Sequence, residues 1–287
     1  VAVIVVGGIS AGGSGKTPLV IALAKYLNDN GYRPGVISRG YRGSSTYWPR
    51  QVTRTTTADV VGDEPQLIYE LAGVPVVVGP DRLEDGRMLI EEYGCDVIVS
   101  DDGFQHFRLH RDLDIVVIDG QAGFGNSWCL PAGPLREPVS AIKRAGIVVF
   151  NSADREGFPM GALWMSMGLG DCYNLVTGDL RSIESFRGTT AHAVAGIGNP
   201  ERFFRQLQEA GITVYRHAFI DHHRFVESDL DFADGAPVLM TEKDGIKCRN
   251  MEKAGHVWVV RAQVELEPAI FRQIDETIEG TDNTSRR

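Results

Sequence analysis

The run Ser10-Ala11-Gly12-Gly13-Ser14-Gly15-Lys16-Thr17 follows an apolar segment, Val1 to Val6, and precedes a helical pattern. Small residues, a lysine and a hydroxyl therefore meet where a strand hands over to a helix, the context in which a P-loop works. Backbone N–H groups there wrap the phosphates of a nucleotide, and the helix start adds positive potential. Lys16 neutralises charge, and the Thr17 hydroxyl can ligate Mg²⁺. Ser10 stands where the strict pattern has its first glycine.

A P-loop needs a carboxylate at the end of a neighbouring strand, and Asp96 to Gly103 supplies the adjacent pair Asp101 and Asp102. The alternative for that pair is a turn cap before Gly103. A second acidic pair, Asp63 and Glu64, opens the helix-like run Gln66 to Leu71; taken alone it reads equally well as capping. From Asn30 to Ala58 there is no acidic residue, while Arg33, Arg39, Arg42, Arg50 and Arg54 alternate with Tyr32, Tyr41, Tyr47 and Trp48. Such a segment fits an anionic ligand with a sugar or acyl part, or else forms a solvated basic face. Gly103 to Arg111 is likewise free of acidic residues. Asp221-His222-His223 ends a strand-like run and, by itself, reads as a loop hydrogen bond, with no third ligand spaced for a metal.

The elements that must position these residues are strands at Val1 to Val6, Pro34 to Ser38, Val74 to Val78, Asp96 to Ser100, Ile115 to Asp119 and Gly146 to Phe150. Continuous apolar strands alternating with helical patterns predict an α/β fold: a P-loop NTPase-type, mostly parallel sheet flanked by helices, with a second smaller α/β domain. Ligands gather at the carboxyl ends of such strands. The expected organisation is a P-loop core over 1–160, a linker or hairpin over 161–188 and a smaller α/β domain over 189–255. A strand and helix over 256–287 then return to the core. The last helix is expected at Pro268 to Ile278, with a frayed polar tail over Gly280 to Arg287.

Composition narrows the function classes. Two domains fit in 287 residues, and 43% hydrophobic with 23% charged residues is ordinary globular make-up. The 29 Lys+Arg against 38 Asp+Glu give a net charge of −9, which argues against general nucleic-acid binding. The cysteines, Cys95, Cys129, Cys172 and Cys248, form no CxxC pair and are expected as buried thiols. No apolar run is long enough to span a membrane, and no signal peptide is recognisable.

Together, SAGGSGKTP, SRGYRG, GDEP, SDDGFQH, GNSWCLPAGPLREP, GIGNPERFF, FIDHH and TEKDGIKC resemble, in order and over nearly the whole chain, the tetraacyldisaccharide 4'-kinase family of lipid A synthesis. The resemblance implies transfer of the ATP γ-phosphate to the 4'-hydroxyl of tetraacyldisaccharide 1-phosphate, giving lipid IVA. The setting it implies is the cytoplasmic face of the bacterial inner membrane. The implied cofactors are ATP and Mg²⁺, and the implied partners are the lipid substrate and a membrane surface, with no nucleic acid and no protein partner. By the same likeness, Lys16 and Thr17 hold phosphates and Mg²⁺ on the 10–17 loop, and Asp101 or Asp102 completes the metal site with help from Glu137. Asp63 matches the catalytic aspartate, and His222 matches the histidine that pairs with it, His223 leaving an ambiguity. Arg39, Tyr41, Arg42 and Arg136 are candidate substrate contacts. Because Asp63 and His222 fall in different expected domains, cleft closure would have to assemble them. The family carries an N-terminal anchor, whereas this chain opens in its first strand, so an upstream segment is expected to be missing. The competing classes are a P-loop regulatory or metal-chaperone NTPase and a small-metabolite kinase or ligase.

Overall fold

The computed structural model describes residues 1–152, 162–252 and 254–285, with side chains described as far as residue 281. The chain forms two compact units, Val1–Ser166 with Val264–Arg287, and Met167–Gln263. Each is built on parallel strands.

In the first unit the strands are β1 (Ala2–Gly7), β2 (Pro34–Ser38), β3 (Arg50–Gln51), β4 (Val76–Val78), β5 (Val97–Asp101), β6 (Leu113–Asp119), β7 (Ile147–Asn151) and the start of β8 (Leu163–Asn174). The helices are α1 (Lys16–Asp29), α2 (Ala58–Val61), α3 (Asp63–Ala72), α4 (Arg82–Tyr93) and, from the chain's end, α7 (Pro268–Ser285). Strand order is β8-β7-β6-β1-β5-β2-β4-β3, parallel throughout except for the edge strand β3. Ile4, Val5, Val6, Val36, Ile37, Val97 and Val99 are fully buried, which explains why these strands read as unbroken apolar runs. β1 lies between β5 and β6, with Val6 opposite both Asp101 and Ile115. The connection from β1 runs past β5 to β2, and that from β5 runs back past β1 to β6, so the strand order reverses beside β1, the place where α/β sheets bind ligands at the carboxyl ends of their strands.

α1 packs through Leu19, Leu23, Ala24 and Leu27, each fully buried; truncating such a leucine to alanine typically costs about 2–5 kcal/mol. Ile270, Ile274 and Ile278, four apart on α7, are also buried, and Phe271 stacks on Tyr26 of α1 with ring centroids 4.1 Å apart. The tail expected to fray from Gly280 is instead helical as far as Ser285. The buried Ile270, Ile274 and Ile278 carry the helix into this segment, and the Thr277 and Thr281 hydroxyls donate to the carbonyls of Gln273 and Thr277, four residues back, rather than turning the backbone out of the helix.

The second unit carries the rest of β8, β9 (Leu180–Arg181), β10 (Thr190–Ala195), α5 (Pro200–Glu209), β11 (Thr213–Ala218), β12 (Val238–Thr241), α6 (Glu242–Gly245) and most of β13 (Val257–Leu266). The order β11-β10-β12-β13 is parallel, and β8 and β9 form an antiparallel pair beside it. One face is filled by Phe186, Phe203, Phe204, Leu207 and Trp258, the other by Phe225, Leu230, Met240 and Val257. The glycine-broken stretch expected as a linker or hairpin holds the 12-residue strand β8, whose end pairs antiparallel with β9 as a hairpin. Gly168 and Gly170 sit within that strand, and residues 153–161, where Gly161 falls, lie outside the described residues. The boundaries between the units accordingly fall inside β8 and β13 rather than at 161, 189 and 256.

Candidate active site

β1 ends at Gly7 because a side chain could not follow there: a Cβ would come within 2.8 Å of the Phe104 backbone nitrogen. The 8–15 loop then turns through two left-handed glycines, Gly12 at φ 112° and Gly15 at φ 96°, and Gly15 caps α1. Ser10 takes no such conformation, which is why a residue other than glycine serves at the pattern's first position. The Asn151 amide, at the end of β7, donates to the Ser14 carbonyl at 3.0 Å and is almost wholly buried, so a neighbouring strand pins the loop. No acidic residue lies in the first turn of α1 and no side chain caps it. The N–H groups at that helix start are thus offered to an anion. Ala11 is not among the available donors, because its N–H is given to Pro134 at 2.8 Å.

Lys16 Nζ lies 3.6 Å from Asp102 Oδ1, and Arg136 Nη1 lies 2.7 Å from Asp102 Oδ2. Burial works against ionising Asp102, but the Lys16 and Arg136 cations outweigh it and hold the carboxyl below the usual carboxylate range. Asp102 leaves the strand in a left-handed conformation, φ 48°, so the pair Asp101-Asp102 splits its side chains at the strand end. Asp101 is buried; Ser38 Oγ donates to its Oδ2 at 3.2 Å, and Oδ1 has no hydrogen-bond partner among the described residues. Burial, then the negative charges of Glu64 and Asp102, push the Asp101 carboxyl up to about 7.

Glu137 is committed on both oxygens, accepting from Gln105 at 2.8 Å and from Arg144 at 2.6 Å. Gln105 also donates to the Gly8 carbonyl at 3.0 Å. These contacts make Glu137 a brace for the P-loop. Asp63 is buried at the start of α3, and its Oδ1 accepts the Glu64 N–H at 3.0 Å. The preceding Gly62, φ 93°, lets the Arg39 to Gly43 loop lie against the helix start, since a Cβ there would come within 2.8 Å of the Tyr41 carbonyl. Arg39, Tyr41 and Arg42 are exposed on that loop.

Sequence reasoning missed Ser38, Asn151, Gln105 and the pair Arg82 and Asp85 on α4. Each is a polar residue just past or near a strand's carboxyl end, which was the available signal. Arg82 and Asp85 are buried 3.7 Å apart, and Arg82 donates to the Gly79 carbonyl at 2.6 Å. Desolvation, with the charges of Asp81 and Glu84 adding to it, pushes the Asp85 carboxyl up to about 7 against the pull of Arg82. The folded state therefore holds this proton more tightly than the unfolded chain does. The stability Asp85 permits falls as pH rises from about 4 to about 7 and is level above that range. Melting the nucleotide-free protein against Asp85→Asn, which has no proton to lose, should show the variant gaining on the wild type as pH rises from about 5 to about 8. A constant difference in Tm would contradict this.

In the second unit, His222 sits in a left-handed conformation, φ 63°, with Nε2 3.6 Å from Asp221 Oδ2. His223 is differently occupied: Nε2 lies 2.9 Å from Asp229 Oδ2, and its ring stacks on Phe219 at 4.5 Å. His223 thus serves the local packing. Asp63 belongs to the first unit and His222 to the second, and each is described within its own.

A family model described as tetraacyldisaccharide-1-P 4'-kinase matches residues 1–279. A tetraacyldisaccharide 4'-kinase of Nitrosococcus oceani is 48% identical over 270 residues, 94% of this chain and 78% of that protein. One of Azoarcus sp. strain BH72 is 51% identical over 253 residues, covering 86% and 74%. Among solved structures, LpxK from Aquifex aeolicus in complex with ATP superposes with a TM-score of 0.77 at 31% identity, covering 97% of this chain and 88% of that one.

Proposed function

This chain belongs to the tetraacyldisaccharide-1-P 4'-kinase family, and from that premise we propose how its residues divide the work. It is an enzyme of lipid A biosynthesis that phosphorylates the 4'-hydroxyl of tetraacyldisaccharide 1-phosphate at the expense of ATP. The observation that carries the residue assignment is the meeting of Lys16 with Asp102 beside the buried Asp101, where the P-loop faces the end of β5. The regulatory or metal-chaperone reading rests on the P-loop alone and has no such family support.

The donor set fits Mg²⁺. Among the described residues, Asp101 keeps a buried oxygen with no hydrogen-bond partner, and no three His, Cys, Asp or Glu residues converge as a metal cage. One or two carboxylates, with phosphates completing the shell, is the way proteins hold this ion. Asp101 and Thr17 would hold it, with Asp102 alongside. Bound there, it would neutralise charge on the phosphates and orient them.

Lys16 and the amides at the start of α1 hold the polyphosphate and draw off the charge that builds as the phosphoryl group loosens. Positioning and charge neutralisation dominate such a transfer. Asp63 takes the 4'-hydroxyl proton late, and His222 orients that carboxylate. Arg39, Tyr41 and Arg42 face the sugar phosphate and acyl chains, an assignment drawn from their exposure and chemistry. Arg136 keeps Asp102 ionised and bears on phosphate. The substrate's acyl chains place the reaction at a membrane surface, which we take to be the cytoplasmic face of the inner membrane. No helix among the described residues is long and apolar enough to cross a membrane.

Incubation with labelled ATP and tetraacyldisaccharide 1-phosphate in detergent should transfer label to the lipid only when a divalent cation is present. Absence of labelled lipid, with ATP hydrolysis indifferent to added lipid, would refute the reading.

A further inference from the structure

The string Thr241-Glu242-Lys243-Asp244 has no part in the chemistry above, yet its polar groups are tied to the loop that carries His222. Asp244 is completely buried at the start of α6. Its Oδ2 accepts the Gly196 N–H at 3.0 Å and the Thr241 hydroxyl at 2.7 Å, and its Oδ1 faces Lys247 Nζ at 2.6 Å. Gly196 in turn accepts the His222 N–H on its carbonyl at 3.2 Å. Gly196 therefore links the two: its N–H is held by the carboxylate, and its carbonyl, in the next peptide group, holds the His222 backbone. Gly196 has no room for drift: a Cβ there would lie 3.3 Å from Asp244 Oδ1, from the His223 Cβ and from the Ile220 carbonyl. Lys243 adds a second tie, with Nζ 3.5 Å from Asp221 Oδ1, while Asp221 Oδ2 faces the His222 ring.

A buried carboxylate and ammonium are a poor way to gain stability, since well-packed apolar residues commonly do as well or better. They do supply direction. Asp244 accepts hydrogen bonds along fixed lines, and one of them holds the residue whose carbonyl accepts the N–H of His222, itself in an uncommon left-handed conformation.

We propose that Asp244, assisted by Lys243, is a positioning residue for His222: it anchors the Gly196 N–H, and through the tightly confined Gly196 the carbonyl that holds the His222 N–H, and so fixes where the His222 side chain starts. The assignment rests on the role given to His222 above. It concerns contacts within the second unit alone, and it gives the TEKD string a task in the reaction without any contact to substrate.

The test is a cycle of Asp244→Asn and His222→Asn in the full chain, with kcat, KM for ATP and Tm measured for each. Asparagine keeps the shape of Asp244 but sets an amide N–H₂ against Lys247 or Gly196. We expect kcat to fall about 10- to 100-fold, the scale of a misplaced reacting group, with KM for ATP unchanged because the P-loop lies in the other unit. In the His222→Asn background the same change should lower kcat by no more than about twofold, since its effect passes through His222. An equal loss in both backgrounds would mean a general structural role and overturn the proposal. So would a wild-type rate for Asp244→Asn beside a large loss for His222→Asn. A wild-type rate for His222→Asn would instead refute the role of His222 itself. Should Asp244→Asn melt below the assay temperature, Lys243→Met carries the test. Its expected loss of about threefold to tenfold should vanish in the His222→Asn background, and an unchanged rate would overturn the proposal.

Discussion

Lys16→Ala is expected to lower kcat for lipid phosphorylation by about 10³-fold while the protein stays folded. The side chain lies at the mouth of the P-loop, 3.6 Å from Asp102 and 3.5 Å from the Gly12 carbonyl, and is 10% exposed. A cation so placed meets the charge that accumulates on the transferring group. Its removal also leaves Asp102 with Arg136 as its remaining close cation, raising the negative potential where phosphates must sit. Stability should change little, by about 1 kcal/mol or less, because the ion pair is partly open to solvent through Asp102. Lys16→Arg should fail to restore the rate. A planar guanidinium spreads its charge over a fork and does not reproduce the compact ammonium at this position. Single-turnover rates with saturating ATP decide the matter. A loss below tenfold would show that the charge is supplied elsewhere.

Asp63→Asn and His222→Asn are expected to be strongly non-additive. Each should lower kcat by about 10² to 10⁴, the range for a general base and its supporting partner, and the double variant should be little worse than the poorer single one. The substitutions are chosen to leave the backbone alone. In Asp63→Asn the amide oxygen can still accept the Glu64 N–H, and asparagine tolerates the left-handed conformation of residue 222 better than alanine does. Multiplying losses would assign the two residues separate tasks. The outcome does not depend on His223, whose ring is held by Asp229 and Phe219.

These predictions draw on two kinds of information. Much of the fold was legible because its signals are local. A parallel strand buried on both faces must be continuously apolar, so β1, β2, β5, β6 and β7 stand out, and a loop with Gly12 and Gly15 before Lys16 marks a phosphate-binding turn. The length of β8 was not legible, because Gly168 and Gly170 weaken strand propensity locally while pairing with neighbouring strands overrides it. Nor was the last turn of α7, whose polar residues after Ile278 read as a tail.

The site divides in the same way. Lys16, Asp101 and Asp102 stood out by type and spacing, whereas Asp63 and His222 became candidates only through the family resemblance that the ordered motifs carry. Residue type alone does not reveal which groups are paired. That Glu137 braces Gln105 and Arg144, that Asn151 pins Ser14, and that Asp101 and Asp102 each keep an oxygen without a hydrogen-bond partner among the described residues while Asp102 faces both Lys16 and Arg136 are long-range facts, created when strands distant in sequence end side by side. The chain's chemistry was therefore written in its residues, whereas burial, protonation and partnership were decided by the sheet. Those three depend on how much water and charge surround a group, and only the closed fold sets that.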